Sequence, residues 1–212
     1  MRLMKVLALV AIVALAIPLA NAADSKHKLS LFAGYSMPNG DLSRSAEIDD
    51  IPVTARHEAD DAVGYGLGYE YRYSKLLSFG ASLSYWDHEI HLTATDEGGA
   101  TVFDGKHGDW SWMPLLLDAN FHVLGKGAID LYLGPTVGYA MFGDFKGAGG
   151  RNYASSDQFT YGVNVGLDIG LGENWALSGG LRYLLLDGEV DGYDYTIPFD
   201  PFIVTVGVGY KF

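Results

Sequence analysis

Four stretches of the chain carry residue types that could do chemistry. His88-Glu89-Ile90-His91 gathers two imidazoles and a carboxylate, the donor set of a divalent transition metal. The zinc-peptidase arrangement needs its histidines four apart on one helix face; here they stand three apart at the end of a strand, so no metal site is assigned. Asp187, Glu189, Asp191 and Gly192 imitate the opening of a calcium loop, but its twelfth position is Pro198 rather than a carboxylate. A solvated acidic loop is expected there, able to meet the divalent ions that bridge lipopolysaccharide. Gly64-Tyr65-Gly66-Leu67-Gly68 has the glycine spacing of a nucleotide loop but opens no helix, and reads as a row that makes room for side chains opposite. A lipid-modifying hydrolase would need a serine beside a histidine near the outer leaflet; His122 falls near the other end, and no His-x-Ser pair occurs. No catalytic residue and no cofactor are therefore assigned, and a non-enzymatic role is expected.

The elements that carry these residues are strands. In the last stretch Phe202, Val204, Val206, Val208, Tyr210 and Phe212 share one face, and Ile203, Thr205, Gly207, Gly209 and Lys211 share the other. This alternation recurs about eight times, with too little helix to cover the apolar faces, so their solvent is expected to be lipid. Connections alternate long and short along the chain, as between extracellular loops and periplasmic turns. The fold class expected is all-β: an eight-stranded antiparallel transmembrane β-barrel with long extracellular loops and short periplasmic turns. A soluble ligand-binding barrel would reverse the rule and bury its apolar rows in the lumen. No Asp, Glu, Lys or Arg falls mid-strand on the outer face, where a cation would cost about 2 to 4 kcal/mol.

Following the inward rows by height grades the lumen. Near the periplasm stand Glu70, Arg72, Asp118, Asp168, Arg182 and Lys211, expected to form an ion-pair network with Asn120 and His122 nearby. Near the outside stand Trp86, Trp112, Leu116, Phe142, Leu184, Leu186 and Ile203. These seven predict either a hydrophobic pocket open to the outside or a plug of side chains packed on one another. Pro114 and Pro135 lie on neighbouring strands and lack ladder donors, so pairing between those strands should be locally weak, a sideways exit for an apolar molecule.

Residues 1–22 read as an export signal: Arg2 and Lys5 precede the apolar run Val6 to Ala20, and Ala20-Asn21-Ala22 offers a small-residue cleavage site. Its removal takes the formal charge from -12 to -14 and leaves residues 23–212 as a single barrel domain. Without cysteine there is no disulfide and no thiolate zinc site, and an acidic chain without a basic patch argues against nucleic acid. Twenty-eight glycines with fourteen tyrosines suit a barrel with a narrow lumen and aromatic rings at the interfaces.

Trp112-Met113-Pro114-Leu-Leu-Leu, Leu133-Gly134-Pro135-Thr-Val-Gly-Tyr139, Trp175 after a short turn, and the run from Asp200 to Phe212 make the chain resemble the outer-membrane protein W (OmpW) group of small barrels. The resemblance covers the second half better than the first. It implies eight strands around a narrow, partly apolar channel linked to small hydrophobic molecules. The expected partners are outer-membrane lipid and lipopolysaccharide, the barrel-assembly machinery through the last strand ending at Phe212, and small hydrophobic molecules. A structural or adhesive barrel with a plugged lumen is the alternative.

Overall fold

Alternating strands present one apolar face each, and a sheet that closes on itself leaves no unpaired edge. The computed structural model, which describes residues 26–48, 51–124, 128–190 and 196–212, has this arrangement; the expected export signal lies outside the described residues. In chain order the strands are β1 (His27–Met37), β2 (Asp41–Ile48), β3 (Ile51–Ala59), β4 (Ala62–Arg72), β5 (Leu77–Asp96), β6 (Thr101–His122), β7 (Ile129–Phe142), β8 (Phe145–Gly147), β9 (Asn152–Tyr153), β10 (Ser155–Ser156), β11 (Gln158–Gly170), β12 (Trp175–Leu185), β13 (Asp187–Val190), β14 (Thr196–Pro198) and β15 (Phe202–Lys211). β1, β4, β5, β6, β7, β11, β12 and β15 pair antiparallel in that order, and β15 returns to β1 to close the ring. His27 and Phe212 exchange both backbone hydrogen bonds at the seam, at 3.2 and 3.0 Å.

The ring strands meet through short segments at one end, residues 73–76, 123–128 and 171–174, and through longer excursions at the other. Two of those excursions differ from expectation. Residues 88–108 and 43–61, polar enough to be expected as loops, are largely strand. β5 and β6 run on past the ring as one hairpin, and the β2–β3 hairpin adds to the edge of β5. The physical reason is visible on β5, where Phe79, Ala81, Leu83 and Tyr85 face outward and then give way to Asp87 and Glu89 on the same face, while His88 and Ile90 stay buried. Period two continues; only its outer solvent changes.

Outside the ring, Leu31, Val63, Leu115, Leu117, Val137, Val163, Val206 and many like them are exposed. A continuous apolar belt of this kind is far larger than a water-soluble surface carries, and it suits lipid. Aromatic rings border it. Tyr65 stands 6.0 Å from Tyr85 near one edge, and Trp175 stands 5.1 Å from Tyr210 near the other. Inside, glycine is required where large side chains cross the narrow lumen: a Cβ on Gly64 would overlap the Trp86 ring, and one on Gly166 would overlap Tyr132.

Candidate functional site

Lumen-facing charges collect toward the end with the short connections, because most ring strands carry a charged residue of inward parity in that half, whereas β5 carries Ser78 there. Lys28 Nζ lies 2.8 Å from Glu70 and 2.5 Å from Asp168, and Ser178 donates to Asp168 at 2.7 Å. Arg72 pairs with Asp130 and stands 3.8 Å from Glu70. Arg182 donates to both oxygens of Asp118 at 2.9 and 2.8 Å, and Thr136 donates to the same carboxylate at 2.5 Å. The network thus draws in Glu70, Arg72, Asp118, Asp168 and Arg182 together with Lys28 and Asp130, which the sequence reading did not single out. Among the described residues, Lys211 makes no ion pair; it stands opposite Lys28 across the seam, and Lys28 is the cation that reaches the two buried carboxylates.

One contact in this layer has the form of a catalytic relay. Ser78 Oγ lies 2.8 Å from His122 Nε2, and His122 Nδ1 lies 2.8 Å from Asp130. Serine, histidine and carboxylate in that order would activate a nucleophile. Here Ser78 is fully buried, it does not line the lumen cavity described below, and Arg72 shares the Asp130 carboxylate. The arrangement therefore works as a hydrogen-bonded strut of the ion-pair layer.

The upper lumen is apolar. Trp86, Trp112, Leu116, Leu184, Leu186 and Ile203 join Ala140 and Phe199 in one buried cluster, with Phe142 packed against it. Those first six side chains are at most 3% exposed, so the cluster is closed on itself rather than open to the outside. Phe199 lies in the connection between β14 and β15, yet its ring sits at the centre, 5.5 Å from Trp112 and 6.3 Å from Phe142. Above, Ile90, Trp110 and Phe145 form a second cluster joined to the first through Phe142, and Trp110 Nε1 donates to Ser155 of the small β10–β13–β14 sheet at 3.0 Å. Trp86 Nε1 donates to Ser84 at 2.9 Å. Trp112 Nε1 and His88 Nε2 are buried without a partner.

Between plug and ion pairs lies a cavity of about 130 Å³, walled by Trp86 and Ile203 above, Lys28 and Glu70 below, and Asp118, Asn120 and Arg182 at its sides. Beside it β6 is loosely held. The β5–β6 ladder lapses between the Leu83–Leu115 and Trp86–Trp112 pairs, opposite Pro114. The β6–β7 ladder lapses between the Asp118–Thr136 and Phe121–Leu133 pairs, opposite Pro135. The two prolines do not weaken one common seam, as the sequence suggested; Pro114 still pairs with Ala140 of β7, and its missing donor falls on the β5 side.

A belt, a closed ring and a polar-to-apolar lumen can be compared with known proteins. The family model described as "Outer membrane protein beta-barrel domain" matches residues 6–212. The chain belongs to that family. Among curated proteins it is 26% identical over 114 residues to outer membrane protein AlkL of Ectopseudomonas oleovorans, covering 51% of this chain and 50% of that one. It is 22% identical over 129 residues to the dibenzothiophene metabolism operon protein PahQ of Pseudomonas aeruginosa, covering 58% and 61%. The matches thus span only about half to three fifths of the curated relatives' length. The crystal structure of OprG from Pseudomonas aeruginosa superposes with a TM-score of 0.70 at 18% identity, over 91% of this chain and 99% of that one. AlkL in lipid bilayers superposes with a TM-score of 0.62 at 19% identity, over 92% and 95%. The two solved structures share the fold of this chain, a small outer-membrane barrel.

The two histidines of the metal-like stretch go separate ways on β5 of this barrel. His88 is buried, its Nδ1–H donating to the Asp60 carbonyl at 2.7 Å, and burial holds its pKa below the usual value. His91 lies outside, 2.7 Å from Asp104, and that hydrogen bond raises its pKa. Among the described residues no group of three or more His, Asp or Glu side chains is placed to hold a metal ion.

Proposed function

We propose that this protein sits in the outer membrane, with its short connections in the periplasm and the β5–β6 hairpin outside, and admits small hydrophobic molecules through the upper lumen. The carrying observation is the grading of the lumen from an apolar cluster to a layer of ion pairs, with the lapsed ladders of β6 between them. An apolar molecule that displaced part of the plug would meet charges below, where desolvating them opposes its passage. The lower-cost route is sideways between β5 and β6 or between β6 and β7, into the apolar interior of the bilayer. The matched relative PahQ carries dibenzothiophene metabolism in its name, an apolar aromatic of the kind such a route would suit. On the same reading lipid and lipopolysaccharide lie against the belt, and the last strand ending at Phe212 is what the assembly machinery engages. No catalytic role is proposed.

The closed packing of the plug favours a second reading, a structural barrel with a filled lumen. Whole cells that display the protein should take up toluene faster than cells that do not, and Leu116→Arg, which puts a cation in the plug, should abolish the gain. Equal uptake by both strains, from a protein shown to be folded by its heat-dependent gel shift, selects the structural reading.

A further inference from the structure

Phe199 reaches the plug from the connection between β14 and β15, not from a ring strand. Its ring centre lies 4.9 Å from His88, 5.5 Å from Trp112, 6.3 Å from Phe142 and 6.4 Å from Trp110, and all four rings stand nearly perpendicular to it, at 75 to 86 degrees. A benzyl group is therefore held in an aromatic box built by β5, β6 and β7, in the edge-to-face geometry that aromatic pairs prefer. The segment that delivers it is tied to one place. Phe199 and Asp200 both donate to the Leu186 carbonyl, at 2.9 and 3.1 Å, and Asp200 has a φ of 33 degrees, the left-handed region that side chains disfavour.

The box has two polar atoms that a benzyl group cannot satisfy. Trp112 Nε1–H is a donor without an acceptor, and His88 Nε2 is an acceptor without a donor, because its Nδ1–H is already given to Asp60. Buried polar atoms without partners are few in a well-packed core, and each calls for an explanation: strain, a bound water or ion, or a functional role. We infer that the box around Phe199 is a binding site for a single-ring aromatic molecule bearing one hydroxyl, and that Phe199 fills it as a built-in stand-in until such a molecule displaces it. The hydroxyl donates to His88 Nε2 or accepts from Trp112 Nε1–H; toluene has the shape of the Phe199 side chain and gains neither bond. The inference rests on the uptake reading above and narrows its substrate class. Burial keeps His88 neutral, which keeps the Nε2 lone pair free.

The test compares phenol with toluene on the folded protein in detergent, by calorimetry. Phe199→Ala empties a benzyl-sized space, and phenol should bind that variant about tenfold more tightly than toluene, the worth of one good hydrogen bond. Adding Trp112→Phe or His88→Phe should reduce the preference to about threefold or less. If Phe199→Ala does not fold, Phe199→Leu leaves a smaller space with the same polar atoms, and the wild type should show the same preference at lower affinity, since its own ring must leave. Equal affinity for the two ligands, or a preference that survives both second substitutions, overturns the inference. Toluene uptake by cells without any phenol preference overturns it while sparing the uptake reading; a phenol preference without uptake sustains it and removes that reading.

Discussion

Lys28, Glu70 and Asp168 at one end of the lumen, and Trp86, Trp112 and Phe199 at the other, are almost equally hidden from solvent. Their partners differ. In the lower layer every paired charge faces an opposite charge or a hydrogen-bonding side chain, Lys211 standing apart, even though Asn120 Oδ1 and the Nε of Arg182 go without. In the upper layer the contacts are apolar and aromatic, and its orphaned polar atoms are those of two neutral rings, Trp112 and His88, and the Ser36 hydroxyl beside Ile203. Removing one member of a buried ion pair strands the other charge in a low dielectric, whereas removing a neutral ring costs packing and at most one neutral hydrogen bond. The lower layer thus acts as a fixed floor, and the upper layer is the part that can rearrange at tolerable cost.

The largest break in that comparison is expected from Lys28→Met, because Asp168 loses its cation and Glu70 keeps only Arg72 at 3.8 Å. A loss of about 3 to 5 kcal/mol in urea unfolding from lipid vesicles is expected. Arg182→Met should cost about 3 kcal/mol by leaving Asp118 with only Thr136 and Asn164 as donors, at 2.5 and 3.4 Å. Adding Asp118→Leu to Arg182→Met should recover more than half of that loss. A double variant no more stable than the single one would show that the floor is held by packing, not by pairing.

Much of this contrast was legible in the sequence, since period two assigns each side chain a face and the strand order assigns it a height. That is why Trp86, Trp112, Leu116, Phe142, Leu184, Leu186 and Ile203 could be read together before any fold was known. Lys28 and Asp130 share the inward parity of Ser30 and Tyr132, and extending the register by one pair on β1 and β7 would have reached them. Phe199 could not be reached this way. It lies in a connection where no periodicity tells inward from outward, and its only signal is the flanking Pro198 and Pro201. The Ser78–His122–Asp130 strut depends on β5, β6 and β7 standing side by side, which spacing along the chain does not encode. The hairpin beyond the ring is hidden by composition: Glu89 and Asp104 suggest a loop, although they lie on the outer face of strands.

A smaller effect is expected from pH, and it falls on the upper layer alone. Burial lowers the pKa of His88 although Asp60, Asp61 and Asp87 lie nearby, and Phe199 faces it edge-on. The unfolded chain takes up this proton near the ordinary value of 6.5 and the folded chain only at lower pH. Between those two values the unfolded state binds more protons, so stability present above about 6.5 is lost as pH falls. His91 acts with the opposite sign: its pKa is raised, so its contribution is full below 6.5 and is lost as pH rises through its folded value. The two are separated by His88→Gln, which should flatten the loss between pH 7 and pH 5, measured as the shift in urea midpoint. An unchanged slope would mean that the plug tolerates a charged His88.

The smallest effect is the sharpest, because it compares two tryptophans in one cluster that differ in a single hydrogen bond. Trp86→Phe removes an Nε1–H that donates to Ser84 at 2.9 Å and leaves that buried hydroxyl without its donor. It should cost about 1 to 3 kcal/mol, from the lost bond together with the lost ring area. Trp112→Phe gives up similar area, but it also removes a buried N–H that has no acceptor. The relief of that orphan, about 1 to 3 kcal/mol, offsets the lost area, and the net change should lie within about 1 kcal/mol of zero. Unfolding midpoints of the two variants therefore separate a ring held by its polar atom from a ring whose polar atom is waiting for a partner. If Trp112→Phe costs as much as Trp86→Phe, Nε1 has an acceptor in solution, such as a bound water, and the box around Phe199 has no vacant donor to offer a ligand.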